Sequence, residues 1–165
     1  MNKILKTMIS SLLLLAVIVS SGCAAASKTF SQNGFTITLT EDFTPVNYGA
    51  YTAAFQSEEV FLVALEEKFI YFEGNDIGAE SSLTEYAQFL INANGIDAKV
   101  ETDSHLVYYV YEIFDIDTLK PMTAFLAAVY KAEDAFWLLQ FAADAEDFED
   151  CKEDILTYAK SVIFE

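Results

Sequence analysis

The chain has 165 residues, of which 53% are hydrophobic, and its 26 acidic against 9 basic side chains give a formal net charge of −17. This length predicts one domain once a targeting segment is removed, and the apolar fraction suffices for a buried core. Every basic side chain is Lys, and no Arg occurs. An acidic chain without Arg offers no basic footprint for a polyanion, so the composition excludes nucleic acid as a partner.

The N-terminal segment has the pattern of an exported precursor. Lys3 and Lys6 give a basic start, and the apolar run LLLLAVIV follows over residues 12–19. This run is too short for a membrane-spanning helix, which needs about 20 residues. We therefore interpret the segment as a secretory signal peptide.

The signal region ends on Ser-Ser-Gly-Cys at residues 20–23, which resembles the lipobox of bacterial lipoproteins. Ser21, Gly22 and the acceptor Cys23 match the family, whereas Ser20 stands where the family usually has Leu. The resemblance implies cleavage before Cys23 and a diacylglycerol on its sulfur. Two acyl chains meet the requirement for stable anchoring. The alternative is a plain secretory signal that is cut nearby, with Cys23 incidental.

These features predict the domain organisation and the location of the chain. We expect a lipoprotein signal peptide over residues 1–22, a short tether over 23–27 and a single α+β domain over 28–165. The expected location is the extracytoplasmic face of the cell membrane, with attachment through a lipid anchor at Cys23.

The first half of the domain has the patterns of strands followed by a helix. Residues 34–40 alternate apolar residues with Thr, which predicts a half-buried strand. Asn33-Gly34 before it is a turn signal, so residues 28–31 are expected to form the first arm of a hairpin. Two further strands are expected over 51–56 and 60–65.

A helix is expected over residues 83–93. Ser82 and Glu85 form a capping-box pattern ahead of apolar residues at helical spacing, and Asn94-Gly95 supplies a stop. The segment 66–80 leaves two readings open, a strand end or a loop that packs over the core.

The second half is rich in strand patterns and ends in a helix. A final helix is expected to start at Asp144, with Asp147 in its acidic first turn and a buried stripe through Cys151 and Ile155. The expected strands cover residues 97–102, 105–114, 122–131, 135–142 and, after the helix, 162–164.

Together these elements predict an α+β fold with a mainly antiparallel sheet of about six or seven strands flanked by two or more helices. The order of a capped helix SLTEYAQFLI, an aromatic strand AFWLLQF and a closing SVIFE resembles the PsbP-like group of small exported or lipid-anchored domains. This resemblance implies a sheet sandwiched by helices and a non-catalytic accessory or assembly role through protein partners. No functional residue can be carried over from that group, because no matching motif is present.

Candidate catalytic groups are few. His105 is the single His, and a relay with Asp103 and Ser104 fails because adjacent strand residues point to opposite faces. Cys151 lies on the apolar stripe of an acidic helix, where burial and negative neighbours disfavour the thiolate, so we interpret it as a core residue. We predict no enzymatic activity and no cofactor.

Acidic clusters suggest a calcium site only weakly. Asp115-Ile116-Asp117 and the Glu73–Asp76 stretch lack the twelve-residue loop pattern of a calcium-binding loop. The acidic run 146–154 is expected to lie on an exposed helix face. No Cys/His set for zinc is present in the sequence.

The function expected from the sequence is therefore that of a lipid-anchored accessory or binding protein, acting through an envelope protein partner or a small ligand. A cation-responsive domain is the alternative, and a hydrolase is a weaker one. Aromatic residues make up 15% of the chain. Core packing is the first explanation for this abundance, and a binding surface or cleft is the second.

Overall fold

A computed structural model describes residues 26–164. Its centre is an antiparallel seven-stranded sheet, and a separate three-stranded sheet and two α-helices pack on its faces. The expected signal peptide and Cys23 lie outside the described residues. The α+β fold expected from the sequence is confirmed, including the seven strands of the main sheet.

The strands of the two sheets can be given in chain order. The small sheet has the spatial order β1-β2-β10, and the main sheet has the order β3-β4-β5-β9-β8-β7-β6. The bounds are β1 Ser27–Gln32, β2 Phe35–Thr40, β3 Thr44–Pro45, β4 Ala53–Gln56, β5 Phe61–Lys68, β6 Glu101–Asp103, β7 Leu106–Phe114, β8 Pro121–Lys131, β9 Ala135–Asp144 and β10 Ile163–Phe164.

The N-terminal hairpin forms as the sequence predicts, but it joins a sheet of its own. β1 starts one residue earlier than the domain boundary expected at Lys28. Asn33 and Gly34 both have positive φ, at 50° and 94°, which is the conformation that a two-residue turn between twisted strands requires. β10 then pairs with β2, placing Phe164 beside Phe35, so Ile163 and Phe164 complete the small sheet.

The first helix, α1, covers Leu83–Asn94 and has the capping box that the sequence indicates. The Ser82 hydroxyl accepts a hydrogen bond from the Glu85 N–H at 3.2 Å, and Glu85 Oε2 accepts from the Ser82 N–H at 2.8 Å. Both bonds satisfy donors that a helix start leaves free. The Ser82 N–H and the Ser82 hydroxyl both donate to the Glu85 carboxylate, and they hold the pKa of Glu85 below its usual value. Gly95 ends the helix in the left-handed conformation.

The segment 66–80 combines both readings that the sequence left open. β5 extends to Lys68, and a short 3-10 helix, Phe69–Phe72, follows it. Phe72 and Ile77 are then buried beneath α1.

The second helix, α2, covers Phe148–Lys160, so the start expected at Asp144 is wrong. Asp144 is the last residue of β9 and pairs with Thr123 of β8, which keeps it in the ladder. Asp147 is the residue before the helix, and its side chain makes no capping hydrogen bond. The expected buried stripe through Cys151 and Ile155 is confirmed.

The strand expected over residues 97–102 is also different, because β6 contains only Glu101–Asp103. Ile96, Ala98 and Val100 pack instead against the hydrophobic cluster beneath α1. Their apolar side chains are therefore used against the face of the main sheet, outside the strand ladder.

The two faces of the main sheet carry separate cores. One core lies under α1 and the 3-10 helix and includes Tyr86, Tyr109 and Phe136. The other lies under α2 and the small sheet and includes Phe35, Trp137 and Ile155. A sheet covered on both faces explains why its strands are apolar at successive positions.

Candidate functional site

The most distinctive feature of the main sheet is an unpaired stretch along one edge. β6 covers β7 only at Leu106, Val107 and Tyr108. Among residues 26–164, no strand pairs with the same side of β7 over residues 109–114. Residues 96–100 belong to no strand, and Gly95, Ile96 and Asp97 line the space beside this edge. Six residues of β7 therefore form a free edge.

A cleft of about 870 Å³ follows this free edge. It is bounded by the C-terminal end of α1 on one face of the sheet and by the N-terminal end of α2 on the other. Its volume lies within the range of small-molecule sites, and its walls mix apolar side chains with a few polar ones. A cleft of this size and lining is suited to binding a ligand or a partner segment.

The wall on the α1 side is aromatic and held by hydrogen bonds. The ring of Tyr111 stacks on Phe125 at 4.8 Å between centroids, and its hydroxyl accepts from Gln140 Nε2 at 2.8 Å. Tyr109 stacks beside Tyr111 with centroids 5.9 Å apart. Burial raises the pKa values of both tyrosines, so both hydroxyls remain neutral at ordinary pH.

Glu67 on the same wall is fixed by a residue of α1. Tyr86 is fully buried, and its hydroxyl donates to Glu67 Oε2. The Tyr86 ring also stacks on Phe136 with 4.1 Å between centroids. Burial first, and then the Glu67 carboxylate, raise the pKa of Tyr86 far above its usual value. The neutral hydroxyl thus orients one carboxylate of the cleft.

The wall on the α2 side is shorter. Val110 and Glu112 of β7 project toward this face, and Phe148 and Glu149 begin α2 beside them. Phe148 is buried and Glu149 is exposed, so the helix start contributes a packed ring and a solvated carboxylate.

The charge of the cleft has one sign. Its lining includes four carboxylates and, within the described part of the chain, no Lys or His, and the four are Glu67, Asp97, Glu112 and Glu149. Clustered like charges at a partly enclosed surface produce a negative potential that attracts cations. The cleft therefore favours a ligand or partner with positive charge next to apolar groups.

The residues considered for catalysis lie elsewhere. His105 is exposed and forms, with Ser104, the two-residue turn between β6 and β7. Lys160 Nζ donates a hydrogen bond to the Asp103 carboxylate at 2.5 Å, and this bond holds the pKa of Asp103 below its usual value. The three residues 103–105 do not converge on a common reacting position, as the alternation of strand side chains predicts.

Cys151 lies in the core between α2 and the sheet, as expected. Burial, followed by the carboxylates of Glu59 and Asp147, raises the pKa of its thiol. A thiol whose pKa is raised gives little thiolate at neutral pH, so its environment is that of an inert core residue.

The acidic clusters do not gather into a cation cage. Asp115 Oδ1 accepts hydrogen bonds from the backbone N–H groups of Asp117 and Thr118 and from the Thr118 hydroxyl, which lowers the pKa of Asp115. This carboxylate organises the turn between β7 and β8. Across residues 26–164, no group of three or more His, Cys, Asp or Glu side chains is placed to hold a metal ion.

Most of the aromatic side chains are used in packing. Phe35, Phe55, Phe136 and Phe141 are fully buried, and ring contacts link the small sheet to the main one. Some of the aromatic side chains, however, line the cleft.

The sequence did not identify the free edge, because the strand expected over 97–102 would have covered it. The signal that could have found it is the mismatch between a long β7 and its short polar partner.

The fold defines this protein as an α+β sandwich of the PsbP-like kind. It is similar to the solution structure of cyanobacterial PsbP (CyanoP) from Synechocystis sp. PCC 6803, with a TM-score of 0.57 and 14% identity, over 86% of this chain and 94% of that one. It is also similar to a crystal structure from Bacteroides thetaiotaomicron, with a TM-score of 0.55 and 10% identity. That match covers 84% of this chain and 48% of the Bacteroides chain.

These likenesses show the fold alone. No protein-family model matches the chain, and no curated protein matches it either. Within residues 26–164, none of the helices combines the length and apolar character needed to cross a membrane.

Proposed function

We propose that this protein is a lipid-anchored accessory protein on the extracytoplasmic face of the cell membrane, and that it binds an envelope partner without catalysing a reaction. The observation that carries the binding role is the open acidic and aromatic cleft along the free edge of β7. The lipobox resemblance around Cys23 supports the anchor. The PsbP-like fold supports an accessory role only as an analogy.

The anchor has a direct test with a matched control, because the chain contains only two Cys residues. Cells expressing the full chain are fed an alkyne-bearing fatty acid, and the purified chain is then examined for the label. We expect the label in the parent chain and in Cys151→Ala, and its loss in Cys23→Ala. An unlabelled parent chain that is free in the culture fluid would contradict the proposal.

The binding role is tested in the same cells. Intact cells are crosslinked, and the full chain is then captured. We expect the parent chain to recover more of an envelope protein than the variant Tyr111→Arg, in which the arginine side chain fills the cleft. Equal recovery from both chains would show that the cleft is not the binding surface.

The two alternatives have less support from the described residues. A cation-responsive domain is supported by the net charge of −17 and by the four carboxylates of the cleft, but within residues 26–164 no group of three or more His, Cys, Asp or Glu side chains is placed to hold a metal ion. Calorimetry with millimolar calcium should give no heat of specific binding under our proposal. A hydrolase lacks a convergent set of groups around His105. An activity that disappears in His105→Ala would overturn the non-catalytic role.

A further inference from the structure

We propose that the free edge of β7 binds an extended basic segment of a partner protein, which adds to the main sheet as an extra antiparallel or parallel strand. This inference rests on the proposed function and specifies its partner chemistry. It depends on three observations: which backbone groups of β7 are free, what lines the space beside them, and the charge of that space.

The register of the β6–β7 hairpin identifies the free backbone groups. The two-residue turn Ser104-His105 is flanked by the pair Asp103 and Leu106. In such a hairpin the flanking pair exchanges both N–H···O bonds, and every second residue directs its N–H and C=O to the same side. Counting along β7 from Leu106, the groups of Val110 and Glu112 face the side where β6 has ended.

These backbone groups belong to residues that line the cleft, of which Val110 is half-buried and Glu112 is exposed. Among residues 26–164, no backbone hydrogen bond from a turn or loop reaches Val110 or Glu112. Natural edge strands are usually shielded by Lys, Pro or a covering element. Residues 109–113 contain no Lys or Pro, and the register irregularity of the strand lies only at its end, between Ile113 and Phe114.

The cleft extends along the free edge for the length of a short strand. Six strand residues extend about 20 Å, and a paired strand lies about 4.8 Å away. The cleft follows the edge over this length, with Tyr109 and Tyr111 on one face and Val110 on the other. An added strand would therefore place alternate side chains against the tyrosines of the α1 face and against the start of α2.

Charge decides between the possible occupants. The four carboxylates of the cleft favour a partner strand with Lys or Arg between apolar residues. A second copy of this chain would place Glu112 near its own counterpart, and both copies carry a net charge of −17. Like charges across a strand pair are destabilising, so self-pairing is disfavoured.

The test uses the full chain in non-ionic detergent and two labelled eight-residue peptides, one alternating Val with Lys and one alternating Val with Glu. Fluorescence anisotropy measures their binding. We expect saturable binding of the Val-Lys peptide and at least about tenfold weaker binding of the Val-Glu peptide, because the cleft is acidic. Equal binding of the two peptides would overturn the assigned charge preference.

A matched pair of variants tests the backbone contact itself. Glu112→Pro and Glu112→Thr both remove the carboxylate, but only the proline also removes the outward N–H. We expect the Val-Lys peptide to bind Glu112→Pro about tenfold more weakly than Glu112→Thr. Equal affinities for the two variants would overturn strand addition. Thermal melting of both variants establishes that each is folded.

A second measurement does not depend on the folding of the proline variant. A Val-Lys peptide that is N-methylated at every second residue loses the donors along one of its edges, and it should bind the parent chain at least about tenfold more weakly. Retention of its affinity would refute strand addition. Sedimentation that shows a dimer of the parent chain, lost in Glu112→Pro, would replace the partner segment by a second copy. If neither peptide binds but crosslinking at the cleft still recovers a partner, strand addition is rejected and the proposed binding role stands.

Discussion

Replacing Tyr86 by Phe tests the link between α1 and the cleft. The parent hydroxyl donates to Glu67, and the ring is stacked on Phe136 in a fully buried position. The substitution removes one oxygen and keeps the ring, so the change is confined to the hydrogen bond and to the carboxylate that the bond orients.

The magnitude follows from the surroundings of the two groups. A hydrogen bond to a charged partner contributes about 1.5–3 kcal/mol. Glu67 is only partly buried, so water can replace the lost donor, and we expect a cost of about 1–1.5 kcal/mol. Replacing Tyr86 by Ala instead removes the whole buried ring and should cost about 3–5 kcal/mol.

Urea unfolding of the full chain in non-ionic detergent measures both variants, and a cycle with Glu67→Ala separates the pair. We expect the double variant Tyr86→Phe, Glu67→Ala to cost about 1 kcal/mol less than the two single changes together. The thermal midpoint of Tyr86→Phe should fall by about 3–6 °C. A cost below about 0.3 kcal/mol, or strict additivity in the cycle, would refute the view that this hydrogen bond secures α1.

Four further outcomes are expected. Ser82→Ala should lower the free energy of unfolding by about 1 kcal/mol in urea denaturation, because it removes the cap of α1. Ile155→Ala should cost about 2–5 kcal/mol in the same assay, since the side chain is fully buried. Burial raises the pKa of Tyr130, so the contribution of its neutral hydroxyl to stability is present below the unfolded pKa of about 10 and is lost as the pH rises above it. In denaturation curves at several pH values, the free energy of unfolding of Tyr130→Phe should therefore fall less steeply with rising pH than that of the parent chain. Asp103→Asn should change the thermal midpoint by less than about 2 °C, because the ion pair of Asp103 with Lys160 is exposed.

The local patterns of the sequence predict most of the fold. The capping box at Ser82, the turn at Asn33-Gly34 and the alternation in β2 each act over a few residues, and each appears where expected. These features depend on neighbouring residues in the chain, so a single sequence contains the information that determines them.

Features that depend on pairing between distant segments are less predictable. Asp144 has the composition of a helix cap, but its pairing with Thr123 of β8 extends the strand past it. The segment Gly95–Val100 has strand-like alternation, yet its apolar residues pack on a face of the sheet instead of in the ladder. For this segment, packing on the sheet face competes with pairing in the ladder, and local propensity cannot show which of the two prevails. The free edge, and therefore the cleft, follows from the outcome.

The two cores of the main sheet are secured unequally. The face opposite α1 is closed by α2 and by a small sheet that joins both ends of the domain through β1, β2 and β10. The face under α1 is covered by one helix of 12 residues, a short 3-10 helix and the irregular segment 95–100. We expect α1 to detach in partial openings that leave the rest of the sandwich intact. The tyrosine wall would then widen without global unfolding, and the site could adjust to side chains of different size.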